Sequence, residues 1–348
     1  MPQLHKLAGL LIVCAVVAGI MLPSVKHARH DVRRTAVRAS AAPSKTPVPT
    51  VAAAAAAQVK ANELGEVPVI MYHRIEAKPE SNLDRTPQQL RTELVRLATE
   101  GYVPVTAAEY VQGRMDLPAG RHPVVLTFDD GSPGQFGLDA QGNPVADSAV
   151  GVIGDVARQY PGFRAAATFF VNKDAFGLTG DQAAAGVRWL IQHGFEVANH
   201  TVHHADLAGM SKAGVQKEIG GEESAITGLG APAPVTFAYP YGALSHTSTS
   251  WAQAGPGWAF QGMFLAGWMP ADSPFEKDFN PRLIPRIRSE DKIKQDDCDK
   301  FCSAAWLDWL AKNPDKRYTS DGDSRVISYP AAKAGALASR YKALGRPY

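Results

Sequence analysis

The sequence predicts an α/β fold: a parallel sheet flanked by helices, either open or closed into a barrel. Three observations carry this expectation. Short, continuous apolar runs recur along the chain, as suits strands buried on both faces. Segments with helical apolar spacing stand between them. Polar residues able to do chemistry follow directly after the runs, at the strand ends where such folds gather their ligands.

Val67 to Tyr72 reads as a first buried strand, ending at His73. Thr86-Pro87-Gln88-Gln89 has the signals of a helix start, with Thr as N-cap, Pro at the first helical position and Gln three residues after the cap. Leu90, Leu94 and Leu97 give that helix one apolar face, and Gly101 ends it. Val124 to Phe128, between Pro123 and Gly131, is a second strand, and Ala167 to Val171 a third. Gln182 to His193 reads as a helix, followed by Gly194 and a strand over Phe195 to Ala198. Ser211 caps a helix running toward Ile226, and Val235 to Ala238 is strand-like.

The 348 residues carry a formal charge of +2 that is unevenly spread. Residues 1–62 hold eight Lys/Arg and one acid, for +7, leaving −5 on the remainder. A mildly acidic globular part gives no footprint for nucleic acid. Leu7 to Leu22 is an uncharged apolar run of 16 residues. That length falls between a signal-peptide core and a membrane span of about 20 residues. Residues 1–30 are therefore expected to be a signal peptide or signal anchor. The protein is expected to be exported, either secreted or anchored outside the cytoplasmic membrane, with membrane contact only through this segment. Residues 31–65, with Pro43, Pro47, Pro49 and the alanine run Ala52 to Ala57, read as a linker. Residues 66–295 are the expected catalytic domain. Residues 296–348, with Trp306, Trp309 and Leu310 at helical spacing, are the expected C-terminal extension packed on it. A monomer is expected. Cys298 and Cys302 sit four residues apart, which in a helix puts their Cα atoms about 6 Å apart, within disulfide range. Two free thiols are the alternative.

Three clusters carry chemistry. Thr127-Phe128-Asp129-Asp130-Gly131 sets two carboxylates just past a buried strand, where one can bind a cation while the other stays available as a base. A polar strand-end turn is the plainer reading of the same residues. His200-Thr201-Val202-His203-His204 follows the next strand but one. His200 and His204, at i and i+4, would share one face of a helical turn, with His203 off that face as a supporting or surface residue. Two His and one carboxylate make a three-ligand metal site with an open fourth position. A zinc peptidase would need Glu directly after the first His, where this chain has Thr201. Phe237-Ala238-Tyr239-Pro240-Tyr241-Gly242 can aim a backbone N–H outward as an oxyanion donor.

In order and separation, Thr127-Phe128-Asp129-Asp130-Gly131, His200-Thr201-x-x-His204 and Pro240-Tyr241-Gly242 resemble the polysaccharide deacetylases of the NodB-homology type. The likeness covers roughly residues 66–290. Pro68 to His73 further resembles the exported poly-N-acetylglucosamine deacetylase branch. The resemblance implies a distorted (β/α)7 barrel and hydrolysis of N-acetyl groups on an amino sugar. It implies Asp130, His200 and His204 as metal ligands, Asp129 as the base acting on water at the metal, and the Tyr241 N–H as oxyanion donor. A divalent metal is implied, with zinc first and cobalt or nickel as alternatives. The implied partner is an N-acetylated glycan: poly-N-acetylglucosamine, peptidoglycan or a chitin-like oligomer.

Two positions depart from the family's pattern. Many members carry Arg two residues before the Pro of the third motif, where this chain has Ala238. Many carry a late Leu-x-His that supplies the acid; the matching stretch here, Leu283 to Arg288, has no His. Arg286 is expected to replace the missing Arg beside Asp129, and His73 to supply the acid, with His246 a weaker choice. Trp251, Trp258 and Trp268 are possible sugar-groove residues. An inactive carbohydrate-binding relative and a hydrolase of another amide or ester are the alternative functions.

Overall fold

The computed structural model describes residues 50–348. The apolar run Leu7 to Leu22 and most of the expected linker lie outside the described residues. Among the described residues, no helix is long and apolar enough to cross a membrane.

The alanine run, read as part of a linker, instead forms helix α1, Thr50–Gln58. Alanine has the highest helix propensity, and the last proline, Pro49, lies just before the helix, where it does no damage. Packing also begins earlier than composition suggests. Ala61, Asn62, Glu63 and Leu64 are buried, and Asn62 and Glu66 bridge to Thr319 and Arg317 of the C-terminal segment.

The central sheet comprises β1 (Val69–Tyr72), β2 (Tyr102–Val105), β3 (His122–Asp130), β4 (Thr168–Val171), β5 (Glu196–Asn199), β6 (Thr236–Ala238), β7 (Gly262–Phe264) and β8 (Ile287–Arg288). Its order is β8-β1-β3-β4-β5-β6-β7, with β2 pairing the first half of β3, and every pairing is parallel. The two edges approach each other through a bridge between Phe264 and Ile284. The sheet thus curls into the half-barrel of the (β/α)7 type, with the major helices outside. These are α2 (Pro87–Thr99), α3 (Ala107–Val111), α4 (Ala149–Gln159), α5 (Gly180–Gln192), α6 (Lys212–Gly228) and α7 (His246–Gln253).

Strand alternation sorts the core into two layers. Ile70, Leu126, Phe128, Phe169 and Val197 face the outer helices, where Leu90, Leu94 and Leu97 of α2 are fully buried. Val69, Val125, Phe170, Ala198, Ala238 and Phe264 face inward. The start of α2 is a capping box in which Thr86 and Gln89 satisfy each other's backbone N–H, and Gly101 closes the helix end at φ 82°.

The C-terminal segment forms α8 (Cys298–Phe301), α9 (Ser303–Lys312) and a parallel pair, β9 (Ile327–Tyr329) with β10 (Gly345–Pro347). Cys298 and Cys302 form a disulfide. Glu63 is buried under this segment, accepting from Ser328 N at 2.7 Å. Burial, with the Asp321 charge adding to it, pushes the Glu63 carboxyl up to about 8. A folded value above the unfolded one contributes stability that is complete below about 4.5 and lost as pH rises through the folded value. The thermal midpoint should therefore fall as pH rises from 4.5 to 8, and Glu63→Gln should flatten part of that slope.

Candidate metal and catalytic site

The site lies at the C-terminal ends of β3, β5 and β6, in a cavity of about 450 Å³. Alternation along β3 points Val125, Thr127 and Asp129 into the half-barrel. It would send Asp130 to the opposite face. The left-handed backbone at Asp130, φ 74°, ends the alternation, and its carboxylate joins the site beside Asp129.

His200 and His204 converge on Asp130, but not from a helical turn as their spacing suggested. Residues 200–206 form a loop with left-handed backbone at Thr201 (φ 67°) and His204 (φ 51°). Asparagine side chains hold that loop. Asn199 Oδ1 accepts from Thr201 N at 3.0 Å, and Asn172 Nδ2 donates to the carbonyls of His200 and Thr201 at 2.6 and 2.7 Å. These amides supply the partners that a helix would have provided. His203 turns away and pairs with Glu218 at 3.0 Å. Left-handed backbone at Asp130, Thr201, His204 and Tyr241 concentrates strain at this one place, as functional sites do.

His200 Nε2 and His204 Nε2 lie 3.6 and 3.5 Å from Asp130 Oδ1. One ligand atom from each of the three residues falls within 4.8 Å of the others. His200 is 1% exposed, and its Nδ1 sits 2.8 Å from the Ala238 carbonyl, which can only accept. That contact puts the ring proton on Nδ1 and leaves the Nε2 lone pair facing the site. Burial lowers the His200 pKa, outweighing the pull of Asp129 and Asp130, so the ring is neutral as a ligand must be. His200 Nε2 and Asp130 Oδ1 are buried and have no hydrogen-bond partner. Two acceptors left facing each other are costly unless a cation lies between them. The set of two imidazoles and one carboxylate suits Zn²⁺ or a similar divalent ion and leaves coordination positions open.

Asp129 is buried and gripped by Arg286. The guanidinium donates Nη1 to Oδ1 and Nη2 to Oδ2, both at 2.7 Å. Arg286 is itself fully buried, with Nε on the Leu265 carbonyl at 2.6 Å and Nη1 on Thr127 Oγ1 at 3.2 Å. Gly267 permits this placement, since a Cβ there would collide with the Arg286 backbone. Burial pushes the Asp129 carboxyl up. Arg286, then His200 and His73, pull harder the other way and hold it well below the usual carboxylate range.

His73 lines the same cavity, and its Nδ1 is buried without a partner. Its placement depends on Gln135, a residue without an assigned role in the sequence reading. Gln135 is fully buried and donates to the His73 carbonyl at 2.9 Å and the Asp129 carbonyl at 2.5 Å. Tyr241 is 69% exposed, and its ring packs edge-on against His204 with centroids 4.4 Å apart. It is the second residue of a single turn, Pro240–Gly242, where the first N–H groups have no partner within the helix. The side chain of His246 lies outside the described residues. Trp258 is buried, and Trp251 packs on the same cluster, so neither lines a groove; Trp268 is 60% exposed beside the cavity.

Residues 116–255 match the sequence model of the polysaccharide deacetylase family. No curated protein sequence matches the chain. Three solved structures are similar. The candidate polysaccharide deacetylase BA0330 of Bacillus anthracis is 20% identical at a TM-score of 0.50, over 64% of this chain and 64% of its own. Polysaccharide deacetylase BC0361 of Bacillus cereus is 21% identical at a TM-score of 0.50, over 64% of each chain. Streptococcus pyogenes deacetylase PplD, solved in complex with acetate, is 21% identical at a TM-score of 0.50, over 64% of this chain and 92% of its own. The chain thus spans less than two thirds of BA0330 and BC0361, and at these identities the likeness is one of fold. The family match contains Asp129, Asp130, His200, His204 and Tyr241, while His73 and Arg286 reach the site from outside it. Residues 116–255 are thus similar in sequence to the polysaccharide deacetylase family, and the half-barrel that holds them is similar in fold to these three structures.

Proposed function

We propose that this protein is a metal-dependent hydrolase that removes N-acetyl groups from an amino-sugar polymer or oligomer. The observation that carries the reading is a three-donor metal set beside a separate buried carboxylate, Asp129, that is ionised and aimed at the same cavity. A binding site alone has no use for the second acid. The complex of the similarly folded PplD with acetate, the product of deacetylation, fits the reading.

A bound divalent cation supplies Lewis-acid chemistry, acidifying water and polarising an acyl oxygen. Asp129 then takes a proton from the attacking water. Arg286 keeps it ionised at any working pH but costs it basicity. Arg286 also fixes both oxygens, leaving their remaining lone pairs toward the cavity. The Tyr241 N–H donates to the acyl oxygen as it gains charge. The carbon–nitrogen bond breaks only as the nitrogen gains a proton, because an amide anion is a poor leaving group. His73, which lines the same cavity, would donate that proton.

Asp130, His200 and His204 hold the metal, with zinc as the ion that best suits the donors and cobalt or nickel as substitutes. The substrate is poly-N-acetylglucosamine, peptidoglycan or a chitin-like oligomer. The Cys298–Cys302 disulfide and the apolar run Leu7 to Leu22 support export to an oxidising compartment.

His73→Ala tests the acid role. It should lower acetate release from N-acetylglucosamine oligomers by about 10²–10⁴-fold, the usual worth of a positioned acid. Hydrolysis of an activated acetate ester, whose leaving group needs no proton, should be nearly unchanged. Equal loss on both substrates would assign His73 a structural role instead.

A further inference from the structure

A second cavity of about 520 Å³ lies beside the metal site and is lined by Met269, Phe301, Trp306 and Trp309, with Lys292 and Lys312 at its edge. It is formed between the 269–270 segment and the C-terminal helices α8 and α9. The two cavities are contiguous in the chain. Gly267 lines the metal site, Met269 lines the second cavity, and only Trp268 separates them. Trp306 Nε1 donates to the Trp268 carbonyl at 2.8 Å and ties α9 to that divide. Arg288 of the first cavity and Lys292 of the second are likewise four residues apart.

Exposed apolar side chains concentrate along this path. The large hydrophobic residues exposed among the described ones are Val145, Tyr241, Trp268, Met269, Leu283, Phe301 and Leu344. Four of these seven fall here: Tyr241 lines the metal site, Met269 and Phe301 line the second cavity, and Trp268 stands between Gly267 and Met269 in the chain. Scattered surface residues need no explanation, but their concentration at two neighbouring cavities does. Trp306 and Trp309 are half-buried and meet edge to face, with centroids 5.6 Å apart and planes at 81°, so they present flat apolar surface held rigid. Lys300, Lys312, Asp299 and Glu66 also line the cavity, with Lys292 paired to Asp308, so both donors and acceptors for hydroxyls stand beside the aromatics. Flat apolar faces with mixed polar edges match a pyranose ring, which has C–H faces and hydroxyl edges. They do not match a lipid chain or a wholly apolar peptide.

We propose that this cleft is a glycan subsite, holding sugar rings of the same polymer whose N-acetyl group reaches the metal site. The C-terminal segment would then select for chain length. The inference rests on the amino-glycan reading given above and extends it to the shape of the substrate.

The test uses the full chain in chelator, so that nothing is turned over. N-acetylglucosamine hexamer and dimer are titrated calorimetrically into the wild type, Trp309→Ala and Phe301→Ala. The wild type should bind the hexamer more tightly than the dimer. Each substitution should weaken hexamer binding about tenfold and leave the dimer unaffected. In the metal-loaded enzyme the same variants should raise KM for the hexamer without changing kcat. Phe301 is 42% exposed, so its replacement keeps the fold even if Trp309→Ala does not. The proposal is overturned if the wild type binds both oligomers alike, or if Phe301→Ala keeps full hexamer affinity. Failure of the deacetylase reading looks different: no acetate from any glycan, with length-dependent and Phe301-dependent binding still present.

Discussion

A His200→Ala variant is expected to lose acetate release to background. The substitution removes one of three donors, together with the Nδ1 contact to Ala238 that orients it. Loss of a group that merely supports a ligand costs about 10–100-fold in metal affinity, and loss of the ligand itself should cost more. Asn172→Ala provides the calibration. Asn172 touches no donor atom but holds the His200 and Thr201 carbonyls. It should fall within that 10–100-fold range, and excess zinc should restore its activity, while His200→Ala stays inactive. Metal affinity by competition with a chromogenic chelator, measured beside acetate release, checks both outcomes.

Arg286→Met should cost both stability and activity. Arg286 and Asp129 are 1% and 3% exposed, and removing one partner of such a pair leaves the other charge uncompensated. The usual cost is about 3–5 kcal/mol. Adding Asp129→Asn should recover much of the stability but none of the activity. The contribution of Asp129 to the pH dependence should also change sign. With Arg286 present, the depressed Asp129 carboxyl contributes stability above its unfolded value, lost as pH falls through the folded one. Without Arg286, burial dominates and raises the carboxyl, so stability should be lost as pH rises instead. Urea denaturation at pH 5 and pH 8 reads the difference: wild-type Asp129 stays ionised in both states across that window and adds no slope, whereas Arg286→Met should lose additional stability toward pH 8. An unchanged slope in Arg286→Met would mean that Arg286 does not set the charge of Asp129.

Much of this architecture was legible in the sequence because buried parallel strands and capped helices leave local marks. Thr86-Pro87-Gln88-Gln89 and the Leu90, Leu94, Leu97 stripe are decided within a few residues, and the structure has them as read. The grouping of Asp130, His200 and His204 follows from the sequence and they converge in the structure, but the backbone that brings them together was not legible. Asp130, Thr201, His204 and Tyr241 all adopt left-handed conformations that their residue types do not announce, so a helical turn was expected where a strained loop stands. Supporting groups were hidden for a different reason. Gln135, Asn172 and Asn199 act through side-chain bonds to carbonyls and amides fixed by the tertiary fold, and no spacing rule points to them. Arg286 was reachable only through the empty place at Ala238: a buried carboxylate needs a cation, and Arg286 lies 157 residues along the chain from Asp129. The aromatic cleft was missed because Trp306 and Trp309 read as packing residues. Their exposed faces follow from how α9 docks beside Trp268.

If the three convergent donors hold a cation that serves Asp129 in amide hydrolysis, activity must depend on that cation. The most direct test is acetate release from poly-N-acetylglucosamine, peptidoglycan and chitin oligomers, measured with and without chelator. Release is expected from at least one of these glycans, abolished by chelator and restored by added zinc or cobalt. Release that chelator leaves intact, or no release from any of them by metal-loaded protein, would contradict it.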